Sequence, residues 1–147
     1  AAKQYDEYER EIERQEEMLL KARENIKKAG LENTISIIAG DAQEVLGCLD
    51  KQYDMIFMDA AKGQYPEFLP DCLRMLKKGG LLVSDNVLYR GMVAGGGLVA
   101  RRKRTIVNRM RAYLDSLCQN PELETSILPV GDGVALSYKL LESEKHE

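Results

Sequence analysis

Two short apolar runs constrain this chain most, because each stops on oxygen-bearing side chains. Met55-Ile56-Phe57-Met58 ends at Asp59, and Leu81-Leu82-Val83-Ser84 ends at Asp85-Asn86. Apolar runs of this length, closed by turn-forming residues, read as buried strands of a parallel sheet. In open α/β sheets ligands bind beyond the carboxyl ends of such strands. The two runs therefore predict three oxygen donors, Asp59, Asp85 and Asn86, facing one crevice. Donors of that hardness suit a magnesium-like cation that keeps waters for a substrate to displace.

The surrounding sequence alternates helical and strand patterns, as an α/β layer structure requires. Met18, Leu19, Ala22 and Ile26 recur at helical spacing and predict a helix over Glu16–Ala29, stopped by Gly30. Residues 9–14 have high helix propensity but only Ile12 as an apolar anchor, so they carry no assignment. A strand is predicted over 34–38, a short helix over 42–49, the first opening strand over 53–59 and a helix over 66–76. Lys77-Lys78-Gly79-Gly80 reads as a helix end and turn, followed by the second opening strand over 81–84. Residues 87–100 read as loop. An amphipathic helix over 101–117 turns Ile106, Val107, Met110, Tyr113, Leu114 and Leu117 inward. Strands over 124–130 and 134–140, joined through Gly131-Asp132-Gly133, predict an antiparallel hairpin at one end of the sheet. No repeat or linker interrupts the pattern, which predicts one domain over residues 1–147.

Composition narrows the function. A net charge of -3 argues against bulk-charge coating of nucleic acid, although it leaves room for a local basic patch. Cys48, Cys72 and Cys118 are odd in number and lack C-x-x-C spacing, which points away from zinc and disulfides and toward a reduced, cytoplasmic location. No stretch is long and apolar enough to span a membrane, so no membrane partner is expected. The single histidine, His146, lies in the polar tail; that position removes Ser-His-Asp, Cys-His and His-metal mechanisms together. Any general base is then Lys, Asp, Glu, Tyr or Cys.

Several segments, taken in order, resemble the cation-dependent, S-adenosylmethionine-using O-methyltransferases, the group that includes catechol and caffeoyl-CoA O-methyltransferases. They are Ile12-Glu13-Arg14, Gly40-Asp41-Ala42, Met58-Asp59-Ala60-Ala61-Lys62-Gly63-Gln64-Tyr65, Ser84-Asp85-Asn86-Val87-Leu88 and Leu128-Pro129-Val130-Gly131-Asp132-Gly133. Bacterial tRNA 5-hydroxyuridine methyltransferases look most similar within the group, since Arg90-Gly91 follows the Asp-Asn motif and Lys103-Arg104 opens the next helix. The resemblance implies a Rossmann-like class I methyltransferase sheet, mostly parallel with a C-terminal antiparallel hairpin. It implies that Asp59, Asp85 and Asn86 hold Mg2+ or a similar divalent cation, that Lys62 lies beside the substrate oxygen, and that Glu13 binds the cofactor ribose. It also implies that Asp41 and Ala42 border the adenine, with Asp59 near the cofactor as well. A homodimer is a further implication.

Each residue has a plainer reading beside this one. Asp59 could merely close a strand, Glu13 sits in a charge-dense stretch, and Asp41 could serve as a helix N-cap. Tyr65 either lines the substrate mouth or packs on the sheet. The basic run Arg101, Arg102, Lys103, Arg104, Arg109 and Arg111 has the composition of a solvated helix face. With Arg90, and set against seven acidic residues between Asp6 and Glu17, it could equally hold an RNA backbone. The family's glycine-rich loop belongs upstream of the ribose-binding acid, but the twelve residues before Glu13 contain no glycine. The sequence is therefore expected to be a piece of a longer protein, lacking the first strand and that loop, rather than a protein that has lost cofactor binding. The expected activity is methyl transfer to an ionised hydroxyl, with 5-hydroxyuridine in tRNA as acceptor. Two rivals stand beside it: methylation of a small catechol-type molecule, and a non-catalytic binding or oligomerisation module.

Overall fold

A computed structural model of the 147-residue chain describes residues 9–13, 16–93 and 103–142. The chain divides into two compact units, Ala1–Leu49 and Asp50–Glu147.

The first unit runs β1 (Glu9–Glu13), α1 (Glu16–Ala29), β2 (Ile35–Ala39) and α2 (Ala42–Cys48). β1 lies parallel to β2, with Ile12 opposite Ile38 and Glu13 opposite Ala39. A strand at β1 was not assignable from its composition, since Glu and Arg favour helices. Pairing with the Ile-rich β2 overrides that weak local preference. α1 ends where Gly30 adopts a left-handed φ of 70°. There the Gly30 N–H donates to Lys27 O and the Leu31 N–H to Ile26 O, a paired closure that satisfies the last helical carbonyls.

The second unit holds β3 (Tyr53–Met58), a 3-10 turn (Lys62–Gln64), α3 (Tyr65–Met75), β4 (Leu76–Ser84), α4 (Arg104–Cys118), β5 (Leu123–Leu128) and β6 (Val134–Lys139). Its sheet has the order β3-β4-β6-β5, with β3 parallel to β4 and β6 antiparallel to both β4 and β5. The predicted hairpin is thus β5–β6. The predicted turn at Lys77-Lys78-Gly79-Gly80 is instead taken into β4 as an irregularity. Leu76 pairs with Tyr53, yet the next partner, Leu81, pairs with Met55. Gly79 takes a φ of 78°, and a Cβ on Gly80 would stand 2.9 Å from Asp54 O, so both glycines are needed where the strands close up.

Amphipathic helices complete this core. α4 buries Val107, Met110, Tyr113, Leu114 and Leu117, while α3 buries Tyr65, Phe68, Leu69, Cys72 and Met75. These faces pack on each other, and the buried Leu82, Ser84, Ala135 and Ser137 lie in the strands beside them. Met55 and Phe57, which alternate with Ile56 and Met58 along β3, are each 58% exposed. Within this unit β3 is covered on one face, whereas the apolar run had predicted cover on both.

Candidate functional site

The register of β3 and β4 builds the site. The last pair along both strands is Met58 opposite Ser84, and the Asp85 N–H extends the ladder by donating to Met58 O at 3.0 Å. Asp59 and Asp85 therefore leave adjacent parallel strands at the same level. Asn86 follows in a left-handed conformation, φ 53°, which Asn tolerates better than most side chains. Its backbone N–H and its side-chain Nδ2 both donate to Asp85 Oδ1, at 2.7 and 3.1 Å.

Lys62 stands on the 3-10 turn that begins the link from β3 to α3. Its Nζ donates to Asp59 Oδ1 at 2.8 Å and to Tyr65 Oη at 2.9 Å. The Lys62 side chain is only 16% exposed, whereas that of Asp59 is 52% exposed. Partial burial pulls the Lys62 ammonium down, but the bonds to Asp59 and Tyr65 outweigh it and hold the amine above its ordinary value. Burial raises the Tyr65 phenol more than Lys62 lowers it, so that hydroxyl stays neutral at any physiological pH.

Tyr65 packs into the core of the second unit. Its side chain is fully buried, and its hydroxyl lies 3.0 Å from both Met58 O and Asp85 O. Beside it, Tyr113 stacks edge-on at 5.3 Å between centroids, and its hydroxyl meets Ser84 Oγ at 2.6 Å. Sequence placed Tyr113 on the inner face of α4 but gave no sign that its hydroxyl would reach the end of β4.

The loop after β4 is held from two sides. The Val87 N–H donates to Gly133 O and the Leu88 N–H to Asp132 O, while the Arg90 N–H reaches the Asp132 carboxylate. Opposite, Arg111 donates to Val93 O and Met92 O. Arg109 is also engaged structurally, bonding Gly63 O and Glu67, so these two members of the basic run brace the core of the unit. Arg90 and Arg104 are exposed; Arg101 and Arg102 lie outside the described residues.

The residues expected around a cofactor belong to the first unit. Glu13 is the last residue of β1 and Ala42 the first of α2. Asp41 is the N-cap of α2, accepting from the Gln43 N–H at 3.0 Å. A Cβ on Gly40 would come within 2.7 Å of the Val45 side chain, so this strand-to-helix turn requires glycine.

Among the described residues no three His, Cys, Asp or Glu side chains form a metal-holding group. The donors at the ends of β3 and β4 are instead two carboxylates and one amide, and these hard oxygens fit a divalent cation of the magnesium type.

The O-methyltransferase family model matches residues 9–140. A caffeoyl-CoA O-methyltransferase of Citrus natsudaidai is 36% identical over 123 residues, covering 78% of this chain and 53% of that protein. Tapetum-specific methyltransferase 1 of Arabidopsis thaliana is 30% identical over 129 residues, covering 80% of this chain and 53% of its own length. The chain thus spans about half the length of these relatives. Among solved structures, a proposed caffeoyl-CoA O-methyltransferase from Staphylococcus aureus matches with a TM-score of 0.81 and 39% identity, over 90% of this chain and 64% of that one. The SAH-bound methyltransferase PaMTH1 of Podospora anserina matches with a TM-score of 0.79 and 26% identity, over 91% of this chain and 61% of that one.

Proposed function

This chain belongs to the O-methyltransferase family, and from that premise we propose that the whole protein transfers a methyl group from S-adenosylmethionine to an ionised hydroxyl at the ends of β3 and β4. The observation that carries the reading is the pairing of Met58 with Ser84, which brings Asp59 and Asp85 out at one level with Lys62 bonded to Asp59. Asp59, Asp85 and Asn86 would hold a divalent cation, whose charge lowers the pKa of an acceptor hydroxyl. Lys62 is the proton acceptor. While Asp59 draws on its ammonium it stays charged, so it can accept a proton only when that carboxylate is engaged elsewhere. Asp59 cannot serve a cation and Lys62 at full strength together, which makes the amine's basicity depend on what else Asp59 binds. The remaining work is alignment of oxygen, methyl carbon and sulfur.

Glu13 is assigned to the cofactor ribose, and Asp41 and Ala42 to the adenine edge. For the acceptor, exposed Arg90 and Arg104 favour a phosphate-bearing substrate, with 5-hydroxyuridine in tRNA as the specific candidate. Relatives named caffeoyl-CoA O-methyltransferase favour a catechol-type acceptor instead of a nucleoside. Changing Arg101, Arg102 and Arg104 to Glu separates the two: activity on tRNA falls while activity on a catechol persists if RNA is the substrate.

Calorimetric titration of the natural protein at its full encoded length with S-adenosylmethionine, with and without Mg2+, tests the core reading. Asp85→Ala should abolish metal-dependent turnover and leave cofactor affinity within about twofold, since its role is placed on the metal side. Absence of cofactor binding would sink the enzyme assignment and favour a non-catalytic binding module.

A further inference from the structure

We infer that Tyr65 is the positioning residue of this site: one buried hydroxyl fixes the Lys62 amine and ties together the strand ends that carry Asp59 and Asp85. The oxygen has three neighbours, Lys62 Nζ at 2.9 Å, Met58 O at 3.0 Å and Asp85 O at 3.0 Å. A phenol has one proton and can accept as well as donate. The two carbonyls share the proton, and the Lys62 amine donates to the oxygen. Met58 immediately precedes Asp59, and Asp85 supplies its own carbonyl, so each strand end is gripped at or next to a residue whose carboxylate is assigned to the cation.

Lys62 gains a direction from this contact. A lysine tip otherwise samples many rotamers, and holding it costs conformational entropy. Here two of the three ammonium protons are taken, by Asp59 and by Tyr65. When Asp59 is engaged elsewhere, Tyr65 is the contact that still holds the amine in place. Tyr65 itself is held by its place at the start of α3 and by the edge-on ring of Tyr113. Tyr113 in turn grips Ser84, the other half of the last strand pair. Two buried phenols thus lock the final rung of the ladder from beneath.

The catalytic consequence rests on Lys62 being the base, so the test has an arm that does not need turnover. In 15N-labelled protein, an ammonium held by fixed acceptors gives a resolved Nζ–H correlation, whereas a free one is lost to exchange with water. The Lys62 correlation, assigned by its loss in Lys62→Met, should be present and should show cross-relaxation to the Tyr65 ring protons in the unsubstituted protein. It should vanish in Tyr65→Phe while backbone amide signals outside the site stay in place. A missing correlation in the unsubstituted protein, or one that survives in Tyr65→Phe, overturns the inference whatever the enzyme does. In turnover, Tyr65→Phe should lower kcat about tenfold with KM little changed, and should cost clearly less in a Lys62→Met background, where only the tie between the strand ends remains to be lost. Fully multiplicative losses would show that Tyr65 does not act through Lys62 and overturn its role in positioning the amine. If the unsubstituted protein methylates no acceptor, the proposed function fails, and the spectroscopic arm still decides what Tyr65 does.

Discussion

Gly133 shows how a single residue of the β5–β6 joint can hold the segment that follows Asn86. Its φ of 85° lies where only glycine is comfortable, and a Cβ there would collide with Leu88 Cγ. Its carbonyl accepts the Val87 N–H, one residue after Asn86. Gly133→Ala should therefore destabilise the protein by about 3 kcal/mol, combining backbone strain with a clash. Thermal denaturation would measure that loss. Leu88→Ala in the Gly133→Ala background should recover only part of the stability, because it removes Cγ and Cδ1 but leaves the Leu88 Cβ at 2.9 Å and the backbone strain in place. Full recovery would mean that the conformation at residue 133 adapts freely. The hairpin loop would then not hold the Asn86 segment in the way its hydrogen bonds indicate.

At the scale of elements, α2 separates two roles that one carboxylate could fill. Asp41 accepts from the Gln43 N–H, an N-cap whose loss costs about 1 kcal/mol. Asp41→Asn should keep the cap and Asp41→Ala should lose it, as chemical denaturation would report. A drop in S-adenosylmethionine affinity in Asp41→Asn, with stability intact, would mark a separate cofactor role. The capping role was already offered by the sequence, as were α1, α4 and the β5–β6 hairpin, because periodicity, Gly30 and the Gly131-Asp132-Gly133 joint are local signals. β1 was not legible: its Glu and Arg residues favour a helix, and only its pairing with β2 makes it a strand. Nor was the start of β4, where Lys77-Lys78-Gly79-Gly80 has turn chemistry but lies alongside β3. In the candidate site, Asp59, Asp85 and Asn86 stood out because they close apolar runs, whereas Lys62 was singled out only by the family resemblance. The bracing by Tyr65, Tyr113 and Asp132 did not stand out, since each acts across 20 or more residues of chain on a partner that only the fold brings near.

For the molecule as a whole, burial makes alkaline pH the vulnerable side. Cys72 is 3% exposed, and its thiol is pushed up to about 12 by burial, with Asp71 adding to the shift. Burial likewise raises the Tyr113 phenol, against the smaller opposing effect of its bond to Ser84. Both groups keep their protons longer in the folded state than in the unfolded one. Stability from Cys72 is thus complete below its ordinary value near 9.0 and declines as pH rises toward about 12. Over that window the unfolded chain has already lost the thiol proton, so each pH unit removes about 1.4 kcal/mol for this one group. Tyr113 adds its own loss above its ordinary value of 10.0. Urea denaturation between pH 8 and 11 should show a decline that begins before the tyrosines titrate. Cys72→Ala lowers stability at pH 8 by creating a cavity, but it should delay the onset of that decline by about one pH unit. An unchanged onset would place the thiol in contact with water and remove it from the core between α3 and α4.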